Sequence, residues 1–319
     1  MKHFLLLIFA LLATPIWAQQ DAQFTQFMFN KQYYNPAYSG IRGVPTIGAF
    51  YRKQWLGFTG APENQQLAFN MPAFGDRVGL GVLLNRKSIG ITQNIGATLS
   101  YSYSLAKTDN VALKIGLQGS FEQFSINFDD PSNVIREPGD PSTRSDQAQV
   151  SSGNVGVGLF FSQTNGYFGV SMPQVLESTI GVNDAGTLTA TRARHLYAMA
   201  GAAIPIGDKF RLLPAGLVKL VRNTPLSYDV NLGLEFFRIL TIGASYRSDE
   251  TGGADSIDFL AHFLIMNRMG IGVSYDNPLS PMKDFSKGSI EVLLQYDLKT
   301  KDNLSSGSGT DMSNPRFFF

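Results

Sequence analysis

Residues 289–299, SIEVLLQYDLK, alternate strictly between two kinds of side chain. One face carries Ile290, Val292, Leu294, Tyr296 and Leu298, and the other carries Ser289, Glu291, Leu293, Gln295 and Asp297. A period of two with bulky apolar side chains on one face is typical of a β-strand. The second face is too polar for a sandwich core, and the pair of faces suits a membrane wall with hydrocarbon outside and water inside. In a closed barrel this strand would pair with the first strand, near residues 43–55.

The same alternation recurs through the chain from Gly43 onward, interrupted by turn residues such as Gly207-Asp208 and Asn165-Gly166, which tolerate positive φ. The segment at 193–206 is the weakest, because Ala and Gly lie on both faces and Pro205 interrupts it. We predict strands at residues 43–55, 62–73, 77–88, 92–106, 111–128, 153–164, 166–177, 193–206, 209–222, 226–237, 240–248, 256–267, 270–277 and 288–299.

Charges and connection lengths both favour a membrane barrel. A charge at the midplane of a lipid-facing wall costs roughly 2–4 kcal/mol, and the charged residues of the best segments avoid the apolar face. Turns near residues 75, 108, 165, 207, 238 and 268 are short, whereas the alternate connections tend to be longer. A soluble sandwich, the alternative fold, gives no reason for this asymmetry. The predicted fold is therefore an all-β, transmembrane, antiparallel up-and-down barrel of about 14 strands, with short periplasmic turns and longer external loops.

Composition excludes several classes of function. Lys plus Arg number 26 and Asp plus Glu 25, so charge does not indicate a nucleic-acid partner. The absence of Cys excludes disulfides, thiolate metal sites and Cys nucleophiles. No zinc-type spacing, P-loop or dinucleotide fingerprint occurs, so we predict no cofactor and no enzyme. An outer-membrane hydrolase is the alternative, but His262 lies in DFLAHFLI without a hydroxyl motif nearby.

The regions outside the predicted barrel have distinct compositions. Residues 1–18 combine a basic start, an apolar core and a small-residue cleavage context, which predicts a secretory signal rather than a membrane anchor. Residues 19–42 are crowded with aromatic side chains, which predicts either an amphipathic lead-in that packs somewhere or a periplasmic segment, a plug or strut, that docks in the periplasmic mouth of the barrel at 43–299. Residues 300–319 are rich in Ser and Gly, which predicts a flexible periplasmic tail, and they end in three Phe residues.

The loop at residues 129–152 carries carboxylates and arginines between Pro and Gly residues. Its acidic residues do not follow an EF-hand register, and arginines are interleaved with them, so Ca²⁺ binding is the weaker interpretation. We interpret the loop as a solvated surface that faces a partner, because external loops of a rigid barrel are where variable function lies. The candidate partner-binding residues here are Asp129, Asp130, Arg136, Asp140 and Arg144.

Residues 20–40, QDAQFTQFMFNKQYYNPAYSG, resemble the start of the PorP/SprF family of the type IX secretion system of the Bacteroidota. Ala22 and Phe27 are mild departures from residues common in that family. The resemblance continues in Tyr51-Arg52-Lys53-Gln54-Trp55 and in the succession of Gly-rich hairpins. The matching residues of the motif are Gln20, Asp21, Gln23, Phe24, Gln26, Asn30, Tyr34, Asn35, Pro36, Ala37, Tyr38 and Gly40.

The resemblance implies a non-enzymatic outer-membrane barrel that supports secretion and surface retention of proteins, including adhesins used in gliding. It implies three kinds of partner: the C-terminal sorting domain of a secreted protein, the periplasmic ring and lipoprotein components, and outer-membrane lipid. The second functional hypothesis is a FadL-like channel for hydrophobic small molecules, which the polar inner face disfavours. The candidate partner-binding residues of the N-terminal stretch are Phe24, Phe27, Phe29, Asn30, Tyr33, Tyr34, Asn35, Pro36 and Tyr38.

Overall fold

A computed structural model of the chain shows a β-barrel. It describes residues 23–74, 77–108, 110–127, 148–177, 179–180, 190–191, 193–222, 224–249 and 252–298. The predicted signal at 1–18, the tail at 300–319 and the loop residues Asp129, Asp130, Arg136, Asp140 and Arg144 lie outside these ranges.

The strands follow one another along nearly the whole described chain. They are β1 (Thr46–Lys53), β2 (Glu63–Ala73), β3 (Val78–Ile89), β4 (Thr92–Lys107), β5 (Val111–Ile126), β6 (Ala148–Gln163), β7 (Gly166–Met172), β8 (Thr179–Ile180), β9 (Ala190–Thr191), β10 (His195–Ala202), β11 (Ile204–Ile206), β12 (Phe210–Val221), β13 (Ser227–Phe236), β14 (Leu240–Ser248), β15 (Ala254–Ile265), β16 (Met269–Pro278) and β17 (Ser289–Asp297).

The helices of the described residues are short. An α-helix covers Lys31–Tyr34, and 3₁₀ turns cover Pro36–Tyr38 and Pro281–Asp284. In the part of the chain that the structure describes, none of the helices has the length and apolar character needed to cross a membrane.

The sheet closes on itself through antiparallel pairs. β17 pairs with β1, from Thr46 opposite Asp297 to Lys53 opposite Ile290, which confirms the predicted seam between the last and first strands. β10 pairs with β7 on one side and with β12 on the other. The sheet has 15 strands, and β10 and β11 are consecutive pieces of one wall strand, so the wall has 14, as predicted. β8 and β9 pair only with each other.

Three predicted strands differ from the observed ones. The weak segment at 193–206 is divided between β10 and β11 at Ala203, although the N–H of Ala203 still donates to the carbonyl of Asn165 (2.9 Å) in the β7–β10 register. The segment at 166–177 ends at Met172, because Pro173 has no N–H to donate to a ladder. β6 begins at Ala148, within the stretch that the sequence assigns to a loop, because its first residues pair with the end of β5.

The outer face of the wall carries an apolar band. A row of cross-strand neighbours in its middle consists of Met71, Leu80, Tyr101, Leu117 and Val157. Three steps further along the same strands, the outward row consists of Gln65, Arg86, Ile95, Gln123 and Ser151. The change from apolar to mostly polar side chains marks the edge of the hydrocarbon layer, so the wall spans a membrane.

Connections at the two ends differ in length, as predicted, apart from the short β3–β4 connection at 90–91. One end has only short turns, including those at 237–239 and 266–268. In these two, Phe237-Arg238 and Met266-Asn267 have positive φ, and Ile239 and Arg268 donate their N–H to residues three positions back. Outer-membrane barrels place short turns in the periplasm, so we call this the periplasmic end and the opposite one the external end.

An arginine in the apolar band should destabilise the barrel. Leu117 is 54% exposed on the outer face, and Leu117→Arg is expected to lower the free energy of unfolding by about 2–4 kcal/mol. Gln123→Arg, on the same face of β5 but outside the band, is the matched control and should change it by less than about 1 kcal/mol. Urea titration in lipid vesicles measures both. Equal losses for the two variants would contradict the placement of the band.

Candidate functional site

Residues 23–42, which we call the lumen segment, lie inside the barrel. Nearly all of their side chains are buried, with Gln26, Asn35, Ala37 and Ser39 at 0% exposure. The sequence predicts a wet interior and leaves the location of this stretch open. The structure places this stretch inside the described lumen, so polar groups of the inner face, such as Glu291 and Ser102, contact protein.

The lumen segment runs between the two ends of the barrel. Near its start, Thr25 contacts Asp276 and Glu291 in the external half. At its end, Arg42 forms a two-pronged ion pair with Asp297 at the periplasmic end (3.2 and 2.7 Å). Between them, Asn35 separates the two helical turns, and its side chain accepts the N–H of Ala37 (2.9 Å) in a local cap.

The NPAYS part of the motif is hydrogen-bonded to the wall. Asn35 Nδ2 donates to the carbonyls of Leu159 (2.9 Å) and Val170 (3.3 Å), on two neighbouring strands. The carbonyl of Ser39 accepts from Ser102 Oγ (2.7 Å) and Lys114 Nζ (2.9 Å). Backbone groups in a buried segment need such partners, because an unpaired one costs about 1–3 kcal/mol.

Glycines on the inner face let the motif approach the wall closely. A Cβ on Gly116 would lie 2.2 Å from the nitrogen of Ala37, and one on Gly158 would lie 2.2 Å from Asn35 Oδ1. A Cβ on Gly79 would lie 1.9 Å from the carbonyl oxygen of Ser39. No other residue fits at such distances, so these glycines form a track that matches the motif.

Aromatic side chains and one lysine fill the middle of the lumen. Tyr34 packs edge-on against Tyr197, and Phe29 stacks on His262 with 4.2 Å between ring centroids. Lys31 Nζ donates to the carbonyl of Met28 and lies 4.6 Å from the ring centre of Tyr167. Lys31 is 1% exposed, so its ammonium is held among these lumen groups rather than in water.

Six adjacent strands, β13 to β17 and β1, supply a charged cluster in the external half. Arg247 Nε contacts Asp229 (2.6 Å), and Arg52 Nη2 contacts Asp276 (2.6 Å). All six members are buried, and Glu291 is 0% exposed. The cluster consists of Arg52, Asp229, Arg247, Asp258, Asp276 and Glu291.

The charged cluster holds the start of the lumen segment. The backbone N–H groups of Thr25 and Gln26 donate to the two oxygens of Glu291 (3.1 and 3.0 Å). Thr25 Oγ1 donates to Asp276 (2.6 Å) and accepts from Arg247 (3.1 Å). Bonds to charged groups are stronger than neutral ones, so this cluster fixes the register of the segment.

The arrangement does not resemble a catalytic or metal centre. Within the described ranges, no group of three or more His, Cys, Asp or Glu side chains is placed to hold a metal ion. The ring of His262 packs on Phe29, and its Nε2 has no hydrogen-bond partner among the described residues. A hydrolase would need an oriented histidine beside a nucleophile and an acid.

The predicted partner-binding residues fall into two sets. The structure brings Phe24, Phe27, Phe29, Asn30, Tyr34, Asn35, Pro36 and Tyr38 together as buried parts of the lumen segment, and Tyr33 as a half-buried one. Their role in binding a partner stays a prediction. Asp129, Asp130, Arg136, Asp140 and Arg144 lie outside the described residues.

The charged cluster and the glycine track were not predicted. The signal for the cluster was a set of opposite charges on the inner faces of paired strands, as in Asp229 opposite Arg247 and Arg52 opposite Glu291. The signal for the track was glycine at inward positions such as Gly116 and Gly158. These glycines predict a close approach only once the lumen segment is known to lie against them.

Comparisons with known proteins identify a family and a fold. A family model described as "Type IX secretion system membrane protein PorP/SprF" matches residues 16–296. No match was found among curated protein sequences.

Solved structures similar to this chain are membrane barrels. The CymD monoaromatic hydrocarbon channel is 10% identical, with 87% of this chain and 94% of that one covered and a TM-score of 0.50. A FadL homologue of Pseudomonas aeruginosa is 12% identical, with 86% and 94% covered and a TM-score of 0.47. The P. putida toluene transporter TodX is 9% identical, with 83% and 93% covered and a TM-score of 0.47. At these identities the likeness shows the fold alone.

A side chain added to the glycine track should dislodge the lumen segment. The chain has no Cys, so Ser39→Cys provides a single reporter at a position with 0% exposure. In that background, Gly116→Val is expected to make residue 39 react with a water-soluble maleimide, because its Cβ overlaps the backbone of Ala37. Gly119→Val is the matched control on β5, since a Cβ there meets no atom within 4 Å. Equal protection in both variants would contradict the fit.

Loss of a charged-cluster arginine should destabilise the protein. Arg247→Met leaves the carboxylates of Asp229 and Asp258 buried without their arginine partner, which is expected to cost about 3–5 kcal/mol. Arg194→Met is the control, because Arg194 forms an exposed pair with Glu177 (3.4 Å) worth at most about 1 kcal/mol. Urea titration in vesicles compares the two, and similar midpoints would count against the cluster as an anchor.

Proposed function

Since this chain belongs to the PorP/SprF family of type IX secretion system membrane proteins, we propose that it supports the secretion, the surface anchoring, or both, of one cognate secreted protein. An adhesin used in gliding motility is the proposed type of client. The chain itself acts without catalysing a reaction in this proposal, in keeping with a family of membrane components rather than enzymes.

The filled lumen is the observation that carries the proposal beyond family membership. The charged cluster holds the lumen segment in the external half of the barrel, and the ion pair of Arg42 with Asp297 holds it at the periplasmic end. A barrel whose lumen is occupied in this way is a rigid platform with one surface on each side of the membrane. Such a platform suits a protein that holds other proteins in place. Loops on such a scaffold are free to specialise for one client.

The proposed partners divide between the two ends of the barrel. The loop that contains Asp129, Asp130, Arg136, Asp140 and Arg144 is proposed to contact the C-terminal sorting domain of the secreted protein. Periplasmic ring and lipoprotein components are proposed to contact the periplasmic end. Among the predicted partner-binding residues between 24 and 38, we propose that Tyr33 is the one that contacts a partner. Tyr33, the half-buried member, is held by Lys87 (3.1 Å) and is more accessible than its buried neighbours.

A channel for hydrophobic small molecules is the second function considered. The similar solved structures that are named as channels or transporters support it only through the shared fold. The described lumen weighs against it, because the path between the two ends passes the buried lumen segment and ion pairs such as Arg247–Asp229. Charged, occupied space does not favour passage of an apolar molecule.

Deletion of the gene should remove a specific protein from the cell surface. The expected result is that one client, or a small set that shares a sorting domain, is no longer secreted or attached, whereas other surface proteins are unchanged. Quantitative mass spectrometry of surface and medium fractions measures this. Re-expression of the intact chain is the control and should restore the client. Normal display of every surface protein in the deletion strain would refute the proposal.

A further inference from the structure

Strand β6 extends beyond its neighbour β7 at the external end of the barrel. On one side β6 pairs with β5 along its whole length, from Ala148 to Gln163. On the other side its ladder with β7 ends at Val157 opposite Met172. Residues 148–156 of β6 therefore continue past the last rung of that ladder.

The chain covers only a short part of this extension. The N–H of Val175 donates to the carbonyl of Val155 (2.8 Å). The side chain of Asn154 then binds both backbone groups of Leu176, because its Oδ1 accepts the N–H (2.9 Å) and its Nδ2 donates to the carbonyl (2.7 Å). The next strand, β8, pairs with β9 and not with β6. The pairing of this segment with β6 thus ends at Leu176.

The rest of the extension, residues 149–153, is what we call the open edge. Backbone groups of successive residues in a strand point to alternate sides. Because the carbonyl of Val155 points to the β7 side, the N–H and carbonyl groups of Gln149, Ser151 and Gly153 point there too. In the part of the chain that the structure describes, no backbone hydrogen bond reaches these groups from that side. All three residues are exposed.

The open edge begins where the hydrocarbon layer ends. Ser151 belongs to the mostly polar outward row at the limit of the apolar band, and Gln149 lies further out. Lipid does not tolerate an unpaired edge, whereas in water such an edge is a template for another extended chain. Free edges are commonly protected by charged residues or proline, and residues 148–153, AQVSSG, contain neither.

We propose that the open edge binds an extended segment of the secreted client, which adds to the sheet as one more strand. An extended peptide presents donors and acceptors with the same two-residue spacing as the edge, so the main chain itself provides the recognition. The external position selects a partner on the cell surface. The choice of the client rests on the proposed function, whereas the availability of the edge rests on the geometry alone.

Hydrogen exchange of the purified full chain in detergent tests whether the edge is available. The amides of Gln149, Ser151 and Gly153 should exchange about a hundredfold faster than those of Ser152 and Asn154, which point to β5. Mass spectrometry with residue-level fragmentation measures both sets. Equal protection of the two sets would overturn the inference. It would show that the chain itself covers the edge or, where protection rises with protein concentration, that a second copy does.

Photo-cross-linking in growing cells tests which molecule binds the edge. The photoreactive residue p-benzoylphenylalanine replaces Gln149, and the expected product joins the chain to a secreted protein at one stretch of its sequence. The same residue in place of Arg86, in the same outward face but three strands away, is the control and should not form this product. A product within the chain, a product with a second copy, or no product at residue 149 would each overturn the inference.

Proline on the open edge tests the mode of binding. Ser151→Pro removes an N–H on the open side and leaves the bonds to β5 in place. It is expected to lower the cross-linking yield from residue 149 about fivefold or more, whereas Ser151→Ala keeps the N–H and should leave the yield unchanged. Yields are compared at equal amounts of inserted barrel, and Gly153→Pro is the second variant if Ser151→Pro does not insert. Equal yields with proline and alanine would refute strand addition.

These results are distinguishable from failure of the proposed function. A cross-linked secreted protein on an available edge, together with normal surface display in the deletion strain, would refute the proposed function and keep the binding site. Loss of a client in the deletion strain, together with a protected edge, would keep the function and refute the binding site.

Discussion

The structure depends on the requirement that no backbone hydrogen-bonding group remain unpaired in hydrocarbon. A membrane offers no acceptor or donor, so an extended chain crosses it only as a closed ladder. Here the ladder closes between β1 and β17, which are distant in sequence. A closed wall encloses a lumen. The polar side chains on its inner face then need hydrogen-bond partners inside that lumen.

The lumen segment occupies the interior of the described barrel. Polar and charged side chains on the inner face pair with the backbone and side chains of the lumen segment, as in the bonds of Glu291 to Thr25 and Gln26. Glycines such as Gly116 and Gly158 make the shape of the wall specific for the NPAYS motif. The motif that identifies the family is thus also the part of the chain that fits most closely against its own barrel.

The wall was predictable from the sequence, and the interior was not. Strands with bulky outward residues, such as β4 and β17, were found within a few residues, because contact with lipid imposes a period of two. β10 was poorly defined because Ala and Gly on both faces remove that signal, and β7 was predicted too long because Pro173 ends it. The location of the lumen segment depends on contacts across more than 200 residues, such as Thr25 with Asp276, which no local pattern encodes.

The seam between β1 and β17 has a consequence for assembly. The lumen segment comes before the first strand, yet it contacts strands from both halves of the wall, including β17, the last to be synthesised. The finished wall therefore encloses its own beginning. The contacts of residues 23–42 with the wall are complete only when β17 is in place, because Glu291 on that strand accepts the N–H groups of Thr25 and Gln26.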